Sequence, residues 1–190
     1  FTTALTGTVS GAGNLTKVGT GILTLAGPGT YVGNTNVDAG QLIYATGASS
    51  TSARIFVGYG AGKAGGVVQR VGTVLNIGTT LSGADVLSLG GGGGYGFYRN
   101  DAGTLATGQL ALGGNSAGAN TTGVFEQNGG STTVSTGVNG WIVFGWQGTN
   151  SNGVLNIMSG TVTNNSSGND TLMGFTASVG SMGMLNLLGT

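Results

Sequence analysis

Apolar and polar residues alternate along this chain in short pieces, with Gly, Asn and Ser clustered between them. One piece returns with little change. Gly123-Val124-Phe125-Glu126-Gln127, Gly153-Val154-Leu155-Asn156-Ile157 and Gly183-Met184-Leu185-Asn186-Leu187 follow one another at a constant interval. Gly96-Phe97-Tyr98-Arg99-Asn100 and Gly66-Val67-Val68-Gln69 extend the frame upstream at nearly the same interval. Period-2 alternation of Val, Ile, Leu, Thr and aromatic residues between turn formers reads as strands, and no window places apolar residues at i, i+3, i+4 and i+7 over three helical turns. A strand unit that recurs every ~30 residues cannot bury its apolar face alone, so the units stack.

A second phrase, apolar-x-apolar-Gly, occurs as Ile55-Phe56-Val57-Gly58, Leu87-Ser88-Leu89-Gly90, Leu110-Ala111-Leu112-Gly113 and Ile142-Val143-Phe144-Gly145, with a weaker copy at Thr171-Leu172-Met173-Gly174. Each precedes a copy of the first phrase, so every unit holds at least two strands in fixed order. The expected fold is all-β, a right-handed parallel β-helix (β-solenoid) of about six or seven coils forming one segment over residues 1–190. Residues 1–45 make one repeat type and residues 54–190 five coils of another, with the Ser/Thr-rich stretch Ala45–Ala53 as a loop between them. Side chains at i and i+2 share a face. That rule predicts an inner column Val68, Tyr98, Phe125, Leu155, Leu185, a second inner column Val57, Leu89, Leu112, Phe144, Met173, and an outer ladder Gln69, Arg99, Glu126, Asn156, Asn186. Arg99 is expected to pair with Glu126, and Asn156 with Asn186.

From Asn14 to Leu42 the residues Leu15, Thr16, Lys17, Gly19, Gly21, Leu23, Thr24, Leu25, Gly27, Tyr31, Gly33, Thr35, Val37, Ala39, Gly40 and Leu42 follow the spacing of a known pattern. This stretch resembles the passenger-associated strand repeat of bacterial autotransporters, over about a quarter of the chain. It departs at Pro28-Gly29, where the family usually carries Asn. The resemblance implies a right-handed parallel β-helix in a secreted passenger displayed at the cell surface of a Gram-negative-type bacterium, associated with passage across the outer membrane and not with catalysis. The residues by themselves place strands at Ile22–Leu25 and Thr35–Val37, turns at Gly27-Pro28-Gly29 and Asp38-Ala39-Gly40, and Lys17 as a solvated residue at a strand edge.

Five basic and five acidic side chains, with no His and no Cys, give the chain no net field. Nucleic-acid binding and membrane-surface binding both need clustered Lys and Arg, so no nucleic-acid partner is expected. No apolar run reaches the roughly 18 residues of a membrane span, so no membrane insertion of this segment is expected. The G-x-G-x-x-G match at Gly60–Gly65 is commonplace in a chain with 43 Gly and has no helix after it to hold a pyrophosphate. In Gly91–Gly96 the Asp of a calcium nonapeptide is replaced by Gly96. No cofactor and no metal are expected.

A β-helix enzyme acting on carbohydrate needs paired or metal-bound carboxylates on one face. The acids are Asp38, Asp85, Asp101, Glu126 and Asp170, and only Asp101 and Glu126 fall on neighbouring units. No catalytic residues are therefore assigned. Tyr59 and Trp146, each just after the Gly of the second phrase, are the candidate exposed aromatics for glycans or other surfaces, with core filling as the alternative. Of Phe97 and Tyr98, one is expected in the core.

The functional expectation is a non-enzymatic structural or adhesive solenoid, a stiff spacer or fibre segment. A glycan- or surface-binding adhesin is the runner-up, and a carbohydrate-active enzyme the rival from another class. Phe1 begins just ahead of a repeat and Thr190 falls in mid-phrase, so the solenoid is expected to continue, within a longer chain or by end-to-end stacking of copies.

Overall fold

The computed structural model describes residues 1–78, 87–114, 118–134, 140–165, 171–174 and 179–189. These residues form three parallel sheets and no helix. The first sheet has eight strands: β1 (Thr2–Leu5), β3 (Ile22–Leu25), β5 (Ala39–Tyr44), β8 (Ala64–Gln69), β11 (Tyr95–Asn100), β14 (Thr122–Gln127), β17 (Asn152–Ile157) and β20 (Met182–Leu187). The second has seven: β2 (Leu15–Lys17), β4 (Thr35–Val37), β7 (Ile55–Val57), β10 (Leu87–Leu89), β13 (Leu110–Leu112), β16 (Ile142–Phe144) and β19 (Thr171–Met173). The third has five: β6 (Ser49–Ser52), β9 (Val74–Ile77), β12 (Thr104–Thr107), β15 (Ser131–Val134) and β18 (Thr161–Asn164).

Chain order visits the sheets in rotation, so the molecule is the expected parallel β-solenoid. Its full coils number about five, fewer than the six or seven expected. Five turns carry all three strands, and two shorter ones precede them with strands in the first two sheets only. In the short turns the third side is reduced to single bridges, Val9 to Gly29 and Gly29 to Ser50.

Inward side chains of neighbouring rungs stack into columns. Leu42, Val67, Tyr98, Phe125, Leu155 and Leu185 form one, in which the rings of Tyr98 and Phe125 lie 5.0 Å apart and nearly parallel. Val37, Val57, Leu89, Leu112, Phe144 and Met173 form another, as the alternation predicts. Full burial of each such side chain is worth about 1.5–3 kcal/mol. Polar side chains also enter the core, at the corner between the first and third sheets. Tyr98 donates to Gln69 Oε1 at 2.7 Å, Gln69 Nε2 donates to Thr104 O at 2.9 Å, and Thr132 donates to Gln127 Oε1 at 2.7 Å. Burial pushes the Tyr98 phenol far above its usual range, and burial, then nearby Tyr31, does the same for Tyr44.

Two glycine columns explain the repeated phrases. Gly58, Gly90, Gly113 and Gly145 turn the chain from the second sheet into the first with φ of 59°, 67°, 72° and 61°, a conformation that side-chain-bearing residues rarely adopt. Gly65, Gly96, Gly123 and Gly153 sit at the second position of their strands, where the first sheet passes close over the end of the second. A Cβ there would press on the backbone of Val37, Val57, Leu89 and Leu112 respectively.

Three expectations change. Ala45–Ala53 is not all loop, since Ser49–Ser52 is β6. Its buried residues are serines, and Ser52 satisfies its hydroxyl on Gly33 O and Arg54 O, so the strand carries no apolar alternation to read. Ala39 and Gly40 belong to β5 and only Asp38 separates it from β4, because the corner is made by Gly40 at φ 70° within the strand. Lys17 is buried, at 8% exposure. It is the terminal rung of the column that continues to Val37, and its ammonium donates to the carbonyls of Val18 (2.8 Å), Gly19 (2.6 Å) and Ala39 (3.0 Å).

Candidate functional surface

The outer face of the first sheet is where the predicted ladder falls. Its register is Ile43, Val68, Arg99, Glu126, Asn156, Asn186, so four of the five predicted members share one column. Gln69 does not belong to it. Gln69 pairs with Asn100, points inward and is fully buried. The cause is the tandem Gly65-Gly66: Gly65, not Gly66, takes the close-approach position aligned with Gly96, which shifts β8 by one residue. For the same reason Val67 replaces Val68 in the inner column, since a slip of one residue exchanges the faces.

Asn186 Nδ2 donates to Asn156 Oδ1 at 2.7 Å, as expected. Arg99 and Glu126 are neighbours in register but do not form an ion pair. Arg99 turns instead to Asp101, its Nε 2.8 Å from Oδ1 without pointing the N–H at it, and its Nη2 donating to Oδ2 at 3.4 Å. Arg70 Nη1 donates to the same Oδ2 at 2.9 Å and Asn128 Nδ2 to Oδ1 at 3.4 Å. Asp101 thus ties three successive turns at one corner. It outcompetes Glu126 because a residue two places along the same strand exit is within reach of both guanidinium groups.

The remaining ion pair among the described residues joins Lys63 to Asp38 at 2.9 Å. Asp85 and Asp170 lie outside the described residues. Among the described residues no three His, Cys, Asp or Glu side chains gather where they could hold a metal ion.

The candidate aromatics are not an exposed column. Trp146 is 7% exposed, and its ring meets Trp141 edge-on at 5.8 Å. Tyr59 is half-buried, packed on Phe56 at 4.9 Å and close over Gly91. A residue just after the corner glycine is turned back over the neighbouring coil, which buries large rings.

An outward-facing aromatic pair, one ring exposed and one half-buried, lies elsewhere. In β11 the alternation sends Tyr98 into the core and puts Tyr95, Phe97 and Arg99 together on the outer face; Tyr95 is 45% exposed. The spacing Tyr95-x-Phe97-x-Arg99 held this signal once Tyr98, and not Phe97, was assigned to the core. The chain matches no protein-family model, no curated protein and no solved structure.

Proposed function

We propose that this chain is a non-enzymatic, extracellular structural segment, a stiff spacer or fibre element at the surface of a Gram-negative-type bacterium, of the autotransporter-passenger kind. The observation that carries the reading is the first sheet, eight parallel strands without interruption. At about 4.8 Å per rung it runs roughly 34 Å along the solenoid axis. Each rung contacts only its neighbours, so the backbone ladder and the inner columns add up along the axis into a rod. The passenger-type repeat between Asn14 and Leu42 supports the placement outside the cell.

Its partner is another coil of the same kind, in the same chain or in a second copy. Within the solenoid every rung of the first sheet pairs edge to edge with the next, and such a partner would make the same contact.

Three measurements test the reading. Antibody to the chain should label intact source cells, and excising the segment should shorten the surface structure that contains it by about the rod length. Labelling only after lysis would overturn the location, and an unchanged height would overturn the spacer role. Incubation with polysaccharides should release no new reducing ends; release would favour the carbohydrate-active enzyme instead.

A further inference from the structure

The outward positions of β8 interrupt the side-chain layer on the first sheet. Gly66 stands between Gln41 and Phe97 in one column, and Ala64 between Ala39 and Tyr95 in the next. A Cβ on Gly66 would have no atom nearer than 3.9 Å, at Gly40 O and at Phe97 Cδ1. Over Ala64 and Gly66 the rung is therefore a floor with almost no side chain, and it ends at Val68, which is buried between Ile43 and Arg99 in the next outer column.

Side chains on a sheet stand roughly perpendicular to it, so a ring in a filled column has each face against the next rung. Phe97 and Tyr95 have Val124 and Thr122 on one side. On the β8 side they have only Gly66 and Ala64. The walls of the notch, Phe97 and Gln41, are two rungs apart, about 9.6 Å, so one ring seated over Gly66 would lie about 4.8 Å from each, the spacing of the stacked rungs.

The chemistry of the notch points to a sugar. One wall offers aromatic faces and the other offers the Gln41 amide. Rings with polar groups at their rim suit a ligand that has an apolar face and hydroxyl edges. The nearby charges of Arg70, Arg99, Asp101 and Glu126 cancel, so nothing selects an anion. We propose that the notch over Ala64 and Gly66 binds one pyranose of a neutral, β-linked, gluco-configured glycan. Its C–H face stacks on Phe97 and Tyr95 while the Gln41 amide takes its hydroxyls. This adds a binding activity to the scaffold reading and does not depend on it.

Cellohexaose and chitohexaose, titrated separately into the chain and followed by calorimetry, test the proposal. At least one should saturate. Gly66→Val fills the notch at a position where Val124 and Val154 already occupy the same column, so it should weaken binding ten-fold or more with the melting temperature unchanged. Tyr95→Ala, a change at an exposed side chain, should weaken it similarly, while Tyr59→Ala should not. If Gly66→Val fails to fold, Tyr95→Ala and Phe97→Ala decide the matter. Saturation by neither sugar, or unchanged affinity in Tyr95→Ala, would overturn the proposal, and neither result bears on whether the chain forms a rod.

Discussion

The first two turns and the five that follow enclose their interiors differently. Thr2, Ile22 and Gln41 share a register, and these two intervals are the short turns. Ala39, Ala64, Tyr95, Thr122, Asn152 and Met182 do likewise, and every interval between them is longer than either short one. The extra residues make the third strand, which widens the interior enough for the stacked Tyr98 and Phe125 and for the buried amides of Gln69, Asn100 and Gln127. The narrow turns have no such space and are closed by the Lys17 ammonium on three carbonyls and by Tyr31 hydrogen-bonded to Thr35 at 2.5 Å. Polar side chains close the corners in both regions. Lys17 and Gln69 donate to corner carbonyls that the ladder to the next rung leaves unpaired, and Tyr31 and Tyr98 are held by bonds to neighbouring side chains.

Substitutions separate the two regions by size of effect. Leu155→Asp should be the most damaging, because it places a carboxylate between Phe125 and Leu185 in the wide core. Several kcal/mol are lost and the cooperative melt followed by circular dichroism should vanish. The same change at half-buried Leu23 in a short turn should leave a cooperative melt; equal damage at both sites would erase the contrast.

Gly65→Ala comes next. The new Cβ presses on the Val37 carbonyl, where the narrow turns meet the wide ones, and should cost about 1–3 kcal/mol in urea unfolding. Its neighbour Gly66→Ala meets open space and should be neutral or stabilising by about 0.4–1 kcal/mol. Two adjacent glycines with equal responses would contradict the register of β8.

Lys17→Met leaves three carbonyls without their donor, at about 1–3 kcal/mol. Amide exchange should accelerate over residues 15–44 and stay unchanged beyond residue 95. Uniform acceleration would mean that the narrow turns do not open separately.

The smallest effect is pH-dependent. Tyr44 and Tyr98 are harder to ionise folded than unfolded, so their contribution is intact below the ordinary phenol value of 10.0 and is lost as pH rises beyond it. The urea midpoint should therefore be flat from pH 7 to 9 as far as these phenols are concerned and fall above 10. No fall above 10 would place both phenols in contact with water.

The sequence made the strands legible wherever apolar residues alternate, as at Ile22–Leu25, Leu110–Leu112 and Asn152–Ile157, and with them the parallel stack. It hid β6, whose inward side chains are the serines Ser50 and Ser52, and it hid the burial of Lys17, because residue type suggests solvent while three carbonyls in a corner select an ammonium. The outer ladder was readable where period and register agree, from Arg99 to Asn186. It failed at Gln69, where Gly65-Gly66 offers two alignments that only the close approach to Val37 decides. Tyr59 and Trp146 were misplaced because their burial depends on how the corner folds back, a long-range matter that local alternation does not carry.

The register of the first sheet is the claim on which the columns, the notch and the rod all rest, and paired cysteines in this Cys-free chain test it directly. Partners on neighbouring strands stand about 4.8 Å apart, inside the Cα range a disulfide needs. Val68→Cys with Arg99→Cys, on one outer column, should cross-link under mild oxidation, whereas Gln69→Cys with Arg99→Cys, one position closer in sequence, should stay reduced because Cys at 69 faces the core. Cross-linking of the 69 and 99 pair in place of the 68 and 99 pair would contradict the account.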